Sequence, residues 1–172
     1  MLLDSLVSFI PINTPLALTT GTINSSPVID LLGSGEGTAP ANIIGNASLF
    51  GANAGIGLIK PMMEVLVTTT FVGGTSVQVK YQGAPDTAGT HLAGSYTTIA
   101  ETPAIVTASL TAGTRIALWD FFPDVPENLN PRYLRLSFVI VGTFSAGAVV
   151  APVTLGRDDY SEKFAPSNFV VA

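Results

Sequence analysis

Residues 131–148 read Pro-Arg-Tyr-Leu-Arg-Leu-Ser-Phe-Val-Ile-Val-Gly-Thr-Phe-Ser-Ala-Gly-Ala. Leu134, Leu136, Phe138 and Ile140 fall on one side of an extended chain, and Tyr133, Arg135, Ser137 and Val139 on the other. A period of two means one sheet face turned to a core and one turned to solvent or a partner. Gly142 then offers a turn, and the apolar residues from Ala148 to Leu155 offer a return strand, so the segment predicts a β-hairpin.

The same grammar recurs upstream. Glu64, Leu66, Thr68 and Thr70 alternate with Val65, Val67, Thr69 and Phe71. Gly73-Gly74-Thr75-Ser76 supplies a turn, and Val77, Val79 and Tyr81 return on alternate positions, which predicts a second hairpin. Further strands are expected over 28–32, 96–101, 105–110 and 114–122. No stretch carries a helical stripe, and no βα alternation is present. The expected fold is therefore all-β: a jelly-roll-like β-sandwich of about eight antiparallel strands with extended terminal arms and a long Gly/Ala-rich loop. The glycine turns of 71–75 and 141–144 resemble each other, a similarity that turn chemistry alone produces.

At 172 residues the chain suits one domain, 1–172. Within it, 1–20 reads as an N-terminal arm or edge, 33–59 as a long loop and 156–172 as a C-terminal arm. Only 11% of residues are charged while 47% are hydrophobic, against roughly 25% charged in an average soluble domain. Two readings fit that deficit: other subunits cover part of the surface, or uncharged Thr, Ser and Asn do the solvating. The net charge of −5 and scattered cations speak against nucleic acid, which needs clustered Lys and Arg. Between Arg135 and Arg157 lie 21 uncharged residues. Gly142, Ser145, Gly147 and Pro152 interrupt them, so a strand pair is expected there and no membrane partner.

Chemistry is sparse. The single histidine, His91, sits in a Gly-Thr-His-Leu loop, and no Gly-x-Ser-x-Gly elbow accompanies it. Asp120, Asp124 and Glu127 lack the spacing and glycine of a calcium loop. Gly33-Ser34-Gly35-Glu36-Gly37 lacks the Gly-Lys-Ser/Thr ending of a phosphate cradle. No cysteine is present to form a disulfide or a thiolate metal site. No catalytic residue, metal ligand or cofactor is expected.

Features suited to protein contact are clearer. Arg132 and Arg135 flank Tyr133, and these residue types are enriched at interface hot spots; pairing of Arg135 with a local acid is the alternative. Trp119, Phe121 and Phe122 suit either a core or an anchor. The apolar residues 1–10 read as a strand or as an arm laid on a neighbour.

Several of these segments, in their order, resemble the capsid cement (decoration) proteins of tailed bacteriophages of the podovirus type. They are Leu3-Asp4-Ser5-Leu6, Val28-Ile29-Asp30-Leu31, residues 71–79, Gln82-Gly83-Ala84-Pro85-Asp86, Glu101-Thr102-Pro103 and residues 131–148. The resemblance implies a jelly-roll-like protein on the outer surface of the capsid of a virion. Such a protein pairs with itself as a homodimer and bridges subunits of the major capsid protein. Stretch 33–59 is longer than the resemblance leads one to expect. Interface candidates are then Leu2, Phe9 and Ile10 in the first arm, Phe50 in the loop, Arg132, Tyr133 and Arg135 on the strand, and Phe164 and Phe169 in the last arm. A carbohydrate-binding β-sandwich, with Trp119 and Tyr96 lining a groove, or a tail component are the alternatives.

Overall fold

The computed structural model describes residues 2–25, 28–31, 61–87, 92–121 and 131–155, with the backbone alone for 2–7 and 155. Among the described residues the chain forms eleven strands and a single 3-10 turn, Thr107–Ser109. Strands β1 (Leu2–Ile10), β2 (Leu16–Ala17), β3 (Gly21–Asn24) and β4 (Ile29–Asp30) come first. Then come β5 (Pro61–Gly73), β6 (Ser76–Ala84), β7 (Thr97–Glu101), β8 (Ile105–Val106), β9 (Arg115–Asp120), β10 (Tyr133–Val141) and β11 (Phe144–Leu155). They make two antiparallel sheets, ordered β1-β11-β5-β9 and β3-β10-β6-β7. In the first, β2 also lies on β11; in the second, β4 lies on β10 and β8 on β6. This is the expected all-β sandwich. The excess over eight strands comes from short pieces, since β2, β4 and β8 have two residues each.

Neither expected hairpin forms. β5 and β6 are consecutive yet lie in different sheets, as do β10 and β11. The glycines between them turn the chain from one sheet to the other. The register carries across the corner: Thr69↔Ala148 and Gly73↔Phe144 in one sheet continue as Ser76↔Val141 and Lys80↔Ser137 in the other. The central strands of both sheets are thus one long antiparallel ribbon, folded over once.

Folding a two-stranded ribbon requires both strands to bend at the same place, which explains the resemblance between 71–75 and 141–144. Gly73, Gly74 and Gly142 all have positive φ, at 81°, 57° and 84°. A Cβ on Gly142 would stand 3.0 Å from the Gly74 Cα, and one on Gly74 would overlap the Phe144 ring at 2.5 Å. Glycine is needed here both for its backbone freedom and for the close approach.

The core lies between the sheets. Met63, Val65, Val67, Phe71, Val149, Ala151 and Val153 from the first sheet meet Val77, Val79, Tyr81, Leu134, Leu136, Phe138 and Ile140 from the second. The alternation expected over 134–140 is therefore the observed one. On β11 the other face is buried too, with Val150 at 3% and Thr154 at 0% exposure. A strand covered on both faces reads as an unbroken apolar run. This accounts for the long uncharged stretch after Arg135.

The N-terminal segment is a strand. β1 pairs with β11, from Leu2↔Leu155 to Ile10↔Ala151, with register shifts on either side of Ser8. The second shift turns two adjacent side chains inward, so Phe9 (0% exposed) and Ile10 (2%) are both in the core. Phe9 meets Tyr81 edge-on at 5.7 Å. The strand expected over 105–110 stops at Val106, where the Leu110 N–H turns back to the Thr107 carbonyl.

Candidate interaction pole

The chain enters and leaves the described sandwich mostly at one end. Leu31, Pro61, Thr87, Leu92, Phe121, Pro131 and Leu155 all stand at the pole opposite the glycine corner. The side chains rooted there form a connected polar group, in the place where sandwich folds carry their variable contacts.

Arg132 is its centre. Pro131 leads into β10 and packs on Gly83, where a Cβ would meet the Pro131 ring at 2.7 Å. The Arg132 N–H donates to the Ala84 carbonyl (2.9 Å), and the Leu31 N–H donates to the Arg132 carbonyl (2.8 Å). Its guanidinium donates twice to Asp30, Nε to Oδ1 and Nη2 to Oδ2, each at 2.9 Å. Nη1 donates to Asp86 Oδ2 at 2.7 Å. The side chain is 8% exposed. This two-carboxylate clamp joins the end of β4, the chain after β6 and the start of β10. The hydrogen bonds with Asp30 come first among the influences that raise the Arg132 pKa above its ordinary value, so the group stays charged.

Tyr133 lies beneath, its ring 5.0 Å from the Arg132 guanidinium carbon. Burial first, and then the charge of Asp30, raises its phenol pKa. The Tyr133 hydroxyl and Asp86 Oδ1 are buried without a hydrogen-bond partner among the described residues. Two residues on, Arg135 takes a different arrangement. Its guanidinium carbon stands 3.6 Å from the centre of the Tyr96 ring, and its Nε donates to Gln82 Oε1 at 2.9 Å.

The nine candidates from the sequence separate on this structure. Phe9 and Ile10 are core residues, because the bulge turns both inward; they form no docking arm. Arg132 and Tyr133 are each 7% exposed, and the ion pairs hold Arg132 inside the fold, so these two support the surface instead of forming it. Arg135 remains at the surface. The Leu2 backbone is part of β1, its side chain lying outside the described residues, as do Phe50, Phe164 and Phe169. His91, Asp124, Glu127 and the stretch 33–59 also fall outside them. Trp119 stacks on Tyr81 at 6.1 Å and packs against the core. Sequence reading missed Asp30 and Asp86 as partners of Arg132, and Gln82 and Tyr96 as partners of Arg135. The one local hint was an acid after Pro85 in an evident turn.

Among the described residues, no group of three or more His, Asp or Glu side chains is placed to hold a metal ion. None of their helices is long and apolar enough to cross a membrane. The described cations are Lys80, Arg115, Arg132 and Arg135; Lys80 is paired with Glu101 and Arg132 with two aspartates. They form no basic face of the kind a phosphate backbone requires.

A family model described as Bbp16 matches residues 18–153, a span that includes the folded ribbon as far as Val153 and the Arg132 clamp described above. The chain belongs to that family. No curated protein matches it.

Proposed function

We propose that this chain is a structural virion protein that sits on the outer surface of an icosahedral phage head, bridges major capsid subunits and stabilises the shell. It acts there paired with a second copy of itself. The observation that carries the reading is the division of the molecule into a stiff double-sheet block and one pole where the chain exits gather. A folded ribbon with both halves in the core transmits load without bending, because close-packed interiors deform little. At that pole Arg132 ties together the chain at Asp30, Asp86 and the start of β10, which fixes the described residues from which a contact surface is built.

Composition agrees with this role. A surface with so few charges loses little by being covered, since few ions have to be desolvated. Each contact with a capsid subunit needs roughly 1,000 Å² to be specific. Touching two subunits at once raises the overall affinity without any one contact being strong.

The glycan-binding alternative loses support. Sugar rings stack on open aromatic faces, but Trp119 is stacked on Tyr81 and one face of Tyr96 lies under Arg135. The test is addition of the purified protein to heads that lack it. Saturable binding with a higher temperature of DNA release is expected. Absence of binding, before and after head expansion, overturns the proposal.

A further inference from the structure

Arg135 is built unlike Arg132 and Lys80, the other described cations of its sheet. Arg132 gives its donors to two carboxylates, and Lys80 has Glu101 at 3.4 Å. Arg135 has no acid partner among the described residues. Its plane lies against Tyr96 and its Nε edge is taken by Gln82. The Nη1 and Nη2 edge is left with no hydrogen-bond acceptor among them, on a side chain that is half-buried.

A long flexible side chain is costly to hold still, and stacking together with the Gln82 hydrogen bond already holds this one. What remains open is a planar pair of charged donors, the fork that fits two carboxylate oxygens. The adjoining clamp places two aspartates beside Arg132, a neighbourhood that disfavours a doubly charged phosphate more than a singly charged carboxylate. The net charge of −5 likewise draws no anion to the surface in general, so capture here has to be local.

We infer that Arg135, fixed by Tyr96 and Gln82, is the docking point for a carboxylate side chain, an Asp or Glu of the protein partner. The identity of the partner as a capsid subunit rests on the function proposed above; the carboxylate site does not. A single singly charged acceptor entering edge-on completes the Arg135 fork while leaving the Tyr96 stack in place.

The test reads the Arg135 Nε–H resonance of the ¹⁵N-labelled full chain during titration with sodium acetate, sodium chloride and sodium phosphate at constant ionic strength. A saturable shift with acetate, absent with chloride and lost in Tyr96→Ala, is expected. The same shift with chloride, or tighter binding of phosphate, overturns the inference. On heads, Arg135→Lys keeps the charge but loses the fork, and its binding is expected to fall about tenfold, as for a hot-spot arginine. If Arg135→Lys binds heads as the wild type does, the docking role fails while the shell reading stands. If the wild type binds no heads but responds to acetate, the shell reading fails and the carboxylate site stands.

Discussion

Replacing Gly142 by alanine tests the folded ribbon at the point where its two strands cross. Gly142 has φ of 84°, and an added Cβ would stand 3.0 Å from the Gly74 Cα and 3.1 Å from the Thr75 nitrogen. The backbone term costs about 1 kcal/mol for an L-residue held at positive φ. The crowding is against backbone, which cannot rotate away, and overpacking of this kind adds about 1–3 kcal/mol. The sum is about 2–4 kcal/mol. Gly113 is the internal control: its φ is 88°, but nothing lies within 4 Å of its added Cβ. Gly113→Ala therefore carries the backbone term alone, about 1 kcal/mol. Thermal unfolding followed by circular dichroism separates the two, since a chain of this size loses about 2–4 °C per kcal/mol. Gly142→Ala is expected to lower Tm by about 4–16 °C, and Gly113→Ala by about 2–4 °C. Equal shifts would mean that the strands do not meet at the corner, and the ribbon would have to be abandoned.

Phe9→Ala removes a ring packed against Tyr81 and Phe121 and is expected to cost about 3–5 kcal/mol in urea unfolding. A near-neutral result would return residues 1–10 to the role of an arm. Tyr81 donates its hydroxyl to the Phe121 carbonyl at 2.7 Å, so Tyr81→Phe should lose about 1 kcal/mol at neutral pH. Burial pushes the Tyr81 phenol well above its ordinary 10. Its contribution to stability is full below pH 10 and is lost as the pH rises beyond it, because only the unfolded chain then ionises. Urea midpoints between pH 8 and 11 should fall above pH 10, less steeply in Tyr81→Phe; parallel profiles would contradict this. Arg132→Met should speed hydrogen exchange at the Leu31 and Arg132 amides, which the clamp holds in place, and leave β5 amides unchanged. Uniform acceleration would show a global loss of stability in place of a local one.

Which parts of this were legible in the sequence follows from range. The alternation of Leu134, Leu136, Phe138 and Ile140 is a property of neighbouring residues, and the core uses it as read. The glycine turns were visible, but a positive-φ glycine serves a hairpin and a sheet-to-sheet corner equally well. The difference lies in which strand each side pairs with, and β5 finds β11 across some 70 intervening residues. Phe9 and Ile10 defeat a period of two because a bulge turns both inward. The Arg132 clamp was hidden for the same reason of distance: Asp30 and Asp86 lie 102 and 46 residues away. Arg135 stood out in the sequence as an interface candidate, but its Tyr96 and Gln82 supports come from the approach to one strand and from another.

The central claim is that this protein covers a shell, and the most direct measurement is its copy number relative to the major capsid protein in purified particles, by quantitative mass spectrometry. A ratio near one or one-half is the predicted result. A few copies per particle would make it a tail or vertex component, and its absence from the particle would contradict the account.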